Sequence, residues 1–214
     1  MSRKKSYPAD FQLLLASRSP RRQQLLEAIG VPFRVVPSRA KERNGGTNPY
    51  ALAEWNALSK AQAARVPAGT AGRYFVLGTD TIVVSEGRVL GKPGGKDDAK
   101  DMLRALSGRT HRVISGVALL YCSQNRQTDF RVAHAVTRVR FAPLGAPELE
   151  AYLASDEWRG KAGAYAIQGR AALFVEGIEG DYSNVVGLPL PLLARLFREL
   201  GFDLLRRVWV DAGE

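Results

Sequence analysis

Two arginines and one aspartate stand out because their sequence neighbours should not tolerate them. In FQLLLASRSPRRQQLLEAIG, residues 11–30, an apolar run ends at Ala16, Ser19 is placed to cap a helix and Pro20 to begin it. Arg21 and Arg22 then fall in the first turn. A helix carries roughly half a positive charge there and prefers acidic residues by about 0.3–1 kcal/mol each. Free backbone N–H groups, two guanidiniums and the hydroxyls of Ser17 and Ser19 would together cradle an anion, because arginine forks match phosphate oxygens. Asp80 interrupts the apolar strand YFVLGTDTIVV, 74–84. A carboxylate in that setting needs a partner, a metal or a role. If Ser85-Glu86-Gly87 is a three-residue hairpin loop, Val84 faces Arg88 and Asp80 faces Lys92 on one side of the sheet. Lys92 would then favour the ionised carboxylate.

Other candidates are plainer. Lys60 in EWNALSKAQ and Glu42 in a basic loop read as ordinary surface residues by themselves. Gln168 lies in KAGAYAIQGRAALF, where small residues let backbone approach a ligand and an amide could read a base edge. It reads equally as a loop glutamine. GKPGGKDD lacks the spacing of a phosphate-binding P-loop, and no G-x-S-x-G nucleophile turn occurs. His111 and His134 fall in different strands without metal-ligand spacing. Cys122 is the sole cysteine, which excludes an intramolecular disulfide and fits a reducing compartment; it reads as a small buried strand residue.

These residues must be positioned by alternating helices and strands. Strands are expected over 11–17, 33–36, 74–84, 88–92, 109–121, 128–141 and 171–175. Helices are expected over 20–29, 48–65, 96–106, 147–154 and 191–200, with Leu25, Leu26 and Ile29 as the apolar stripe of the first. Residues 37–47 and SQNRQ read as loops. The mixture of hairpins and crossovers implies an α/β chain with a mixed, highly twisted sheet flanked by helices. Residues 1–10 read as a loose arm and 11–214 as one domain. The composition is that of a folded globular chain, with 45% hydrophobic and 24% charged residues. No apolar run approaches the ~20 residues that span a bilayer, and a cytoplasmic location is expected. The net charge of +10 is scattered rather than blocked, so it speaks for a basic surface or a polyphosphate substrate more than for a nucleic-acid tail.

Taken together, LASRSPRRQQLL, NALSKA, GTDTIVV, LGKP, LSGRTHRVISGVAL, KAGAYAIQG and SNVVGLPLP resemble the Maf (septum-formation inhibitor) nucleotide pyrophosphatases, in the family's order and across about residues 11–200. The resemblance implies a two-lobed fold with a cleft between the lobes, like the inosine triphosphatases, often dimeric. It implies hydrolysis of nucleoside triphosphates to the monophosphate and pyrophosphate with a divalent cation, Mg, Mn or Co. Carried over by motif, Asp80 is the proton acceptor, and Ser17, Arg21, Arg22, Lys60 and Lys92 hold the phosphates. Glu42 and Asp80 are the implied metal ligands. Arg21, Thr81 and Gln168 stand where the family varies with base preference, and KAGAYAIQG resembles the subgroup acting on dTTP and UTP. RAKE, 39–42, departs from the usual acidic run, Ala166 replaces a usual glycine and Thr79 a common alanine. Two other readings stand beside this one: a pyrophosphatase for non-standard purine nucleotides, and a nucleic-acid-binding or cell-division regulator with a vestigial cleft.

Overall fold

The computed structural model describes residues 6–43, 48–124 and 126–211. Its centre is a seven-stranded mixed sheet. Strand β1 (Leu13–Leu15) leads into helix α1 (Pro20–Ala28), and β2 (Arg34–Val35) returns parallel to β1. Helix α2 (Pro49–Gln62) crosses to β3 (Arg73–Ser85), which lies parallel to β1 and forms a hairpin with β4 (Arg88–Leu90). Helix α3 (Lys96–Leu106) precedes the long hairpin of β5 (Thr110–Ser123) and β6 (Arg126–Phe141). Helix α4 (Ala146–Leu153), strand β7 (Val175–Glu179) and helices α5 (Tyr182–Val186) and α6 (Leu190–Glu199) follow. A small ribbon of β8 (Phe202–Asp203) and β9 (Val208–Trp209) closes the described chain. The expected mixed sheet with flanking helices is what forms.

The long strands are shared by two lobes. At one end Phe75, Leu77, Val117 and Leu119 pack against Leu193, Leu196 and Phe197 of α6. At the other end Val83, Val113, Val139 and Phe141 pack against Leu103 and Leu106 of α3 and Leu149 and Leu153 of α4. Leu25 of α1 touches both cores. On the opposite face α2 lies across β3 and β5. Its Ala53, Ala57 and Ala61 form a stripe of small residues that meets glycine on the sheet. A Cβ on Gly78 would sit 2.2 Å from the Ala57 carbonyl oxygen, and one on Gly116 would sit 2.2 Å from that of Ala53. These two glycines let the helix lie directly on the strands.

Several local expectations are corrected. The β3–β4 turn is a two-residue loop, with Glu86 (φ 48°) and Gly87 (φ 79°) both left-handed. Ser85 therefore faces Arg88 and Val84 faces Val89, one residue out of the expected register. The sequence pattern predicts a strand over 171–175; Arg170–Phe174 instead form a 3₁₀ turn pinned by Arg170 N–H on Glu157, and the strand begins at Val175. Helix α2 stops at Gln62 because Ala64 pairs with Ser38 and Arg65 N–H donates to the Pro37 carbonyl. Ser19 stands at the N-cap of α1 without a side-chain capping bond, and Ile29 is exposed rather than part of the apolar stripe. Of the expected loose arm, residues 1–5 lie outside the described residues, and in the rest Tyr7 packs on Phe11 and Asp10 accepts from Trp209 and pairs with Arg73. Part of the 37–47 loop and Asn125 of SQNRQ also lie outside the described residues. Cys122 is buried in β5, and His111 and His134 lie in β5 and β6.

Candidate functional site

The site opens where the sheet has a gap. On the edge of β3 away from β5, β1 pairs only with Phe75–Leu77 and β4 only with Val83–Ser85. Between them, residues 78–82 have no strand neighbour on that edge among the described residues. The side chains of Asp80 and Thr81, which alternate to opposite faces, both line the cavity of about 390 Å³ that fills this gap. The carboxyl end of β1 and the start of α1 form one wall. A segment of 160–167 and the end of α5 form the other. This is the place where open α/β sheets tend to bind ligands, beyond strand ends at a change of strand direction.

Asp80 is 5% exposed and held at both oxygens. Lys60 Nζ donates to Oδ1 at 2.6 Å and Asn56 Nδ2 donates to Oδ2 at 2.9 Å. Asn56 and Lys60 stand four apart on α2 and so share a face. Asn56 also donates to the Arg43 carbonyl and accepts from Arg43 N–H, which ties the loop carrying Glu42 to the same helix. Glu42 accepts from Lys60 at 2.7 Å and from Lys92 at 2.9 and 3.0 Å. The charges therefore alternate Lys92, Glu42, Lys60, Asp80. Partial burial alone would raise the Glu42 carboxyl, but the bonds and charges of Lys60 and Lys92 outweigh it and bring the group down to about 2. The expected Asp80–Lys92 pair does not form. The one-residue register difference and the early end of β4 carry Lys92 to Glu42, and Lys60 takes its place beside Asp80.

Both arginines of α1 turn inward. Arg21 Nε donates to the Val186 carbonyl at 3.3 Å, and Arg22 Nε donates to that of Gly187 at 2.9 Å. These are the terminal carbonyls of α5, which carry the negative end of that helix. The electrostatic conflict at the start of α1 is thus relieved by a second helix. Arg22 also donates to Ser17 Oγ at 3.0 Å and Thr81 Oγ1 at 3.2 Å. Three of its five N–H donors are used and two remain. Burial pulls Arg22 down to about 10, with Asp80 raising it and Arg21 lowering it. The α5 wall is anchored by buried polar groups. Asn184 Nδ2 donates to the Val113 carbonyl and to Thr137 Oγ1, Ser115 Oγ donates to the Asn184 carbonyl, and Thr81 shares a hydrogen bond with Ser115.

Of the residues singled out from the sequence, Ser17, Arg21, Arg22, Glu42, Lys60, Asp80, Thr81 and Lys92 all line this one cavity. Gln168 does not. It is exposed on a turn closed by Gly169 N–H on the Ala166 carbonyl, and the residues of that stretch that face the cavity are Tyr165, Ala166 and Ile167. Arg18 and Lys161 of the cavity, and Asn56 behind Asp80, escaped the sequence reading. Lys161, lowered by burial and then by Arg21, was hidden in a small-residue stretch. Asn56 could have been found from its four-residue spacing to Lys60.

Among the described residues no three His, Cys, Asp or Glu side chains converge on a metal position. Two carboxylates do converge, since Glu42 and Asp80 share the Lys60 ammonium at 2.7 and 2.6 Å. Oxygen-only donors of this number fit a hard cation of the Mg²⁺ type, which commonly takes one or two carboxylates and completes its shell with phosphate oxygens and water.

Fold and site together define an α/β protein with a cationic cleft between two lobes and a buried carboxylate at its centre. The chain belongs to the Maf-like protein family, which it matches over residues 12–200. It is 45% identical over 195 residues to a dTTP/UTP pyrophosphatase of Pelotomaculum thermopropionicum, covering 91% of this chain and 99% of that protein. It is 49% identical over 197 residues to a dTTP/UTP pyrophosphatase of Moorella thermoacetica, covering 92% and 99%. Among solved structures it has a weaker likeness to a HAM1 protein from Coxiella burnetii, with a TM-score of 0.42 and 16% identity over 63% of this chain and 74% of that one. Among the described residues no helix is long and apolar enough to cross a membrane.

Proposed function

We propose that this protein is a nucleoside triphosphate pyrophosphatase that hydrolyses dTTP and UTP, or modified pyrimidine nucleotides, to the monophosphate and pyrophosphate. The observation that carries the reading is the composition of the cleft. Arg18, Arg21, Arg22, Lys60, Lys92 and Lys161 face two carboxylates, an excess of positive charge suited to a triphosphate. The cleft's lining also includes Val83, Val113, Tyr165, Ile167 and Val186, apolar surface suited to a base.

Arg21 and Arg22 hold the phosphates through their free N–H donors, with the guanidinium planes fixed by the α5 carbonyls. Lys60 and Lys92 are occupied by Glu42 and Asp80 and can exchange those partners for phosphate oxygens. Lys60 and Asn56 each take one lone pair of an Asp80 oxygen, which leaves the carboxylate aimed and still able to accept a proton from an attacking water at Oδ1 or Oδ2. Cations around the β- and γ-phosphates stabilise the charge that develops on the pyrophosphate leaving group. Glu42 and Asp80 would hold a divalent cation, Mg, Mn or Co, which supplies further charge neutralisation at the phosphate oxygens. The high identity to dTTP/UTP pyrophosphatases supports the pyrimidine assignment. A cytoplasmic homodimer belongs to the same reading. It is supported by the buried single cysteine and by the edge of β6 over residues 126–137, which has no strand partner away from β5 among the described residues.

The test is pyrophosphate release from each common NTP and dNTP, with Mg²⁺ and with EDTA. Metal-dependent release fastest with dTTP and UTP is expected. Release fastest with purine nucleotides would overturn the base assignment, and no release from any nucleotide would overturn the enzyme reading.

A further inference from the structure

Lys60 bridges the two carboxylates of the cleft, yet in the proposed reaction it is a group that turns to phosphate. Its Nζ lies 2.6 Å from Asp80 Oδ1 and 2.7 Å from Glu42 Oε1. An ammonium drawn to phosphate oxygens releases the carboxylates it was bridging, and carboxylates released side by side repel each other. Lys92, the other cation on Glu42, is exposed and faces the same competition. Keeping the carboxylates in place at that moment takes a partner that phosphate does not recruit.

Asn56 has the required properties. It is neutral and 2% exposed, and its carboxamide is engaged on every side. Nδ2 donates to Asp80 Oδ2 at 2.9 Å and to the Arg43 carbonyl at 3.2 Å, and Oδ1 accepts from Arg43 N–H at 2.9 Å. Both N–H donors are thereby used. Turned over, the amide would aim its oxygen at the Asp80 carboxylate and its NH₂ at the Arg43 N–H, so the three contacts select one orientation. Arg43 follows Glu42 directly in the chain, and α2 grips this segment at further points. The Arg43 guanidinium lies 3.5 Å from the centre of the Trp55 ring. At the other end Ser38 bridges to Ala64, and Arg39 N–H donates to the Ala63 carbonyl. Residues 38–43 therefore run along α2, and one side chain of that helix is bonded both to Asp80 and to the backbone beside Glu42.

We infer that Asn56 is the positioning residue that fixes the separation of Glu42 and Asp80, one carboxamide serving both, so that the two carboxylates stay set for a divalent cation while Lys60 changes partners. The part played by the cation rests on the proposed hydrolysis; the three-bond brace does not. Aspartate cannot take over the role. Its carboxylate can accept from Arg43 N–H but has no donor for Asp80 or for the Arg43 carbonyl. Partners that orient metal-binding groups from behind are typically worth about 10–100-fold in metal affinity or activity.

The experiment compares the full chain as wild type, Asn56→Ala and Asn56→Asp. Steady-state kinetics with Mn²⁺ give kcat and KM for dTTP. Calorimetry gives the affinity for a dTTP analogue whose α–β bridging oxygen is replaced by NH. Paramagnetic resonance gives the Mn²⁺ taken up by the protein–analogue complex over and above the analogue alone. In Asn56→Ala, kcat is expected to fall about 10–100-fold and Mn²⁺ to bind about tenfold more weakly. KM and analogue affinity are expected to stay within about threefold, because Arg21 and Arg22 still hold the phosphates. Asn56→Asp keeps the side-chain volume and the Arg43 N–H bond, and is expected to lose kcat to at least the same extent; it decides the split between kcat and KM if Asn56→Ala does not fold. Either variant keeping its kcat within about threefold of wild type overturns the inference. So does an unchanged Mn²⁺ affinity in Asn56→Ala, or a wild-type complex that takes up no Mn²⁺. A parallel fall of kcat, analogue affinity and melting temperature overturns it in favour of a purely structural asparagine. If the wild type binds the analogue and Mn²⁺ but hydrolyses no dTTP, the proposed hydrolysis falls and the Mn²⁺ titration alone decides the role of Asn56.

Discussion

At the scale of single residues, the site depends on how completely Asp80 is surrounded. Its oxygens are fixed by Lys60 and Asn56, so an amide in its place keeps the size and loses the basicity. Asp80→Asn is expected to fold and to lose about 10²–10⁴-fold in kcat, the usual contribution of a general base. Retention of more than about a tenth of the wild-type rate would remove that role. Gln168 makes the opposite case. Its side chain is exposed on the 166–169 turn and does not line the cavity, so Gln168→Ala is expected to leave the ranking of dTTP, UTP and CTP unchanged in kcat/KM. A reversal of that ranking would mean that the turn folds inward over the base. The difference between the two residues was only half legible in sequence. An aspartate within an apolar run announces itself by the cost of burying charge. A glutamine among glycines and alanines does not say which side of a turn it occupies. The Asp80–Lys92 pairing failed for a related reason. Glutamate at position 86 adopts φ 48°, a conformation few non-glycine residues take, and that single residue shifts the register by one.

At the scale of elements, α2 is the part that carries the chemistry to the sheet. Ala53, Ala57 and Ala61 could be read from the sequence as a small stripe, and Gly78 and Gly116 as weak points in strands. What could not be read is that the two surfaces meet, since that is a contact between segments far apart in the chain. The consequence is testable. A methyl group at Gly116 would lie 2.2 Å from the Ala53 carbonyl oxygen and 2.3 Å from its carbon, and backbone cannot swing aside as a flexible side chain does. Gly116→Ala must push α2 off the sheet, and Asn56 and Lys60 move with it. The expected cost is about 1–3 kcal/mol of stability, typical of overpacking, together with a loss of kcat larger than the change in KM. Thermal melts and steady-state kinetics on the same preparation measure both. A variant that melts lower but keeps its kcat would show that α2 can shift without disturbing Asp80. The gap in the sheet is a property of the same scale. It exists because β1 stops at Leu15 and β4 ends at Leu90 opposite Val83, and strand ends are the least legible feature of any sequence.

At the scale of the whole molecule, the cleft survives only while both lobes hold their ends of the long strands. The lobe built on α3 and α4 contains a titratable weak point. His111, at the start of β5, is 1% exposed, has its ring edge-on to Phe141 and shares a hydrogen bond of 2.8 Å with the Tyr165 hydroxyl. Its Nδ1 has no partner. Burial holds the imidazole down at about 4, well below its ordinary 6.5. The folded protein therefore resists a proton that the unfolded chain accepts. Between those two values the unfolded state binds more protons, so stability rises with pH there. The contribution is fully present above pH 6.5 and is lost as the pH falls toward 4, to the extent of roughly 3 kcal/mol. Carboxylates titrate in the lower part of that window as well, so the comparison must be internal. Denaturant melts of wild type and His111→Phe between pH 7 and 4 are expected to diverge, the wild type losing stability from just below pH 7 and the variant staying flat until the carboxylates begin to protonate. Equal slopes would clear His111. Because Tyr165 also lines the cavity, loss of the His111 bond would loosen the wall facing the base, and activity should fall in the same pH range as this lobe gives way.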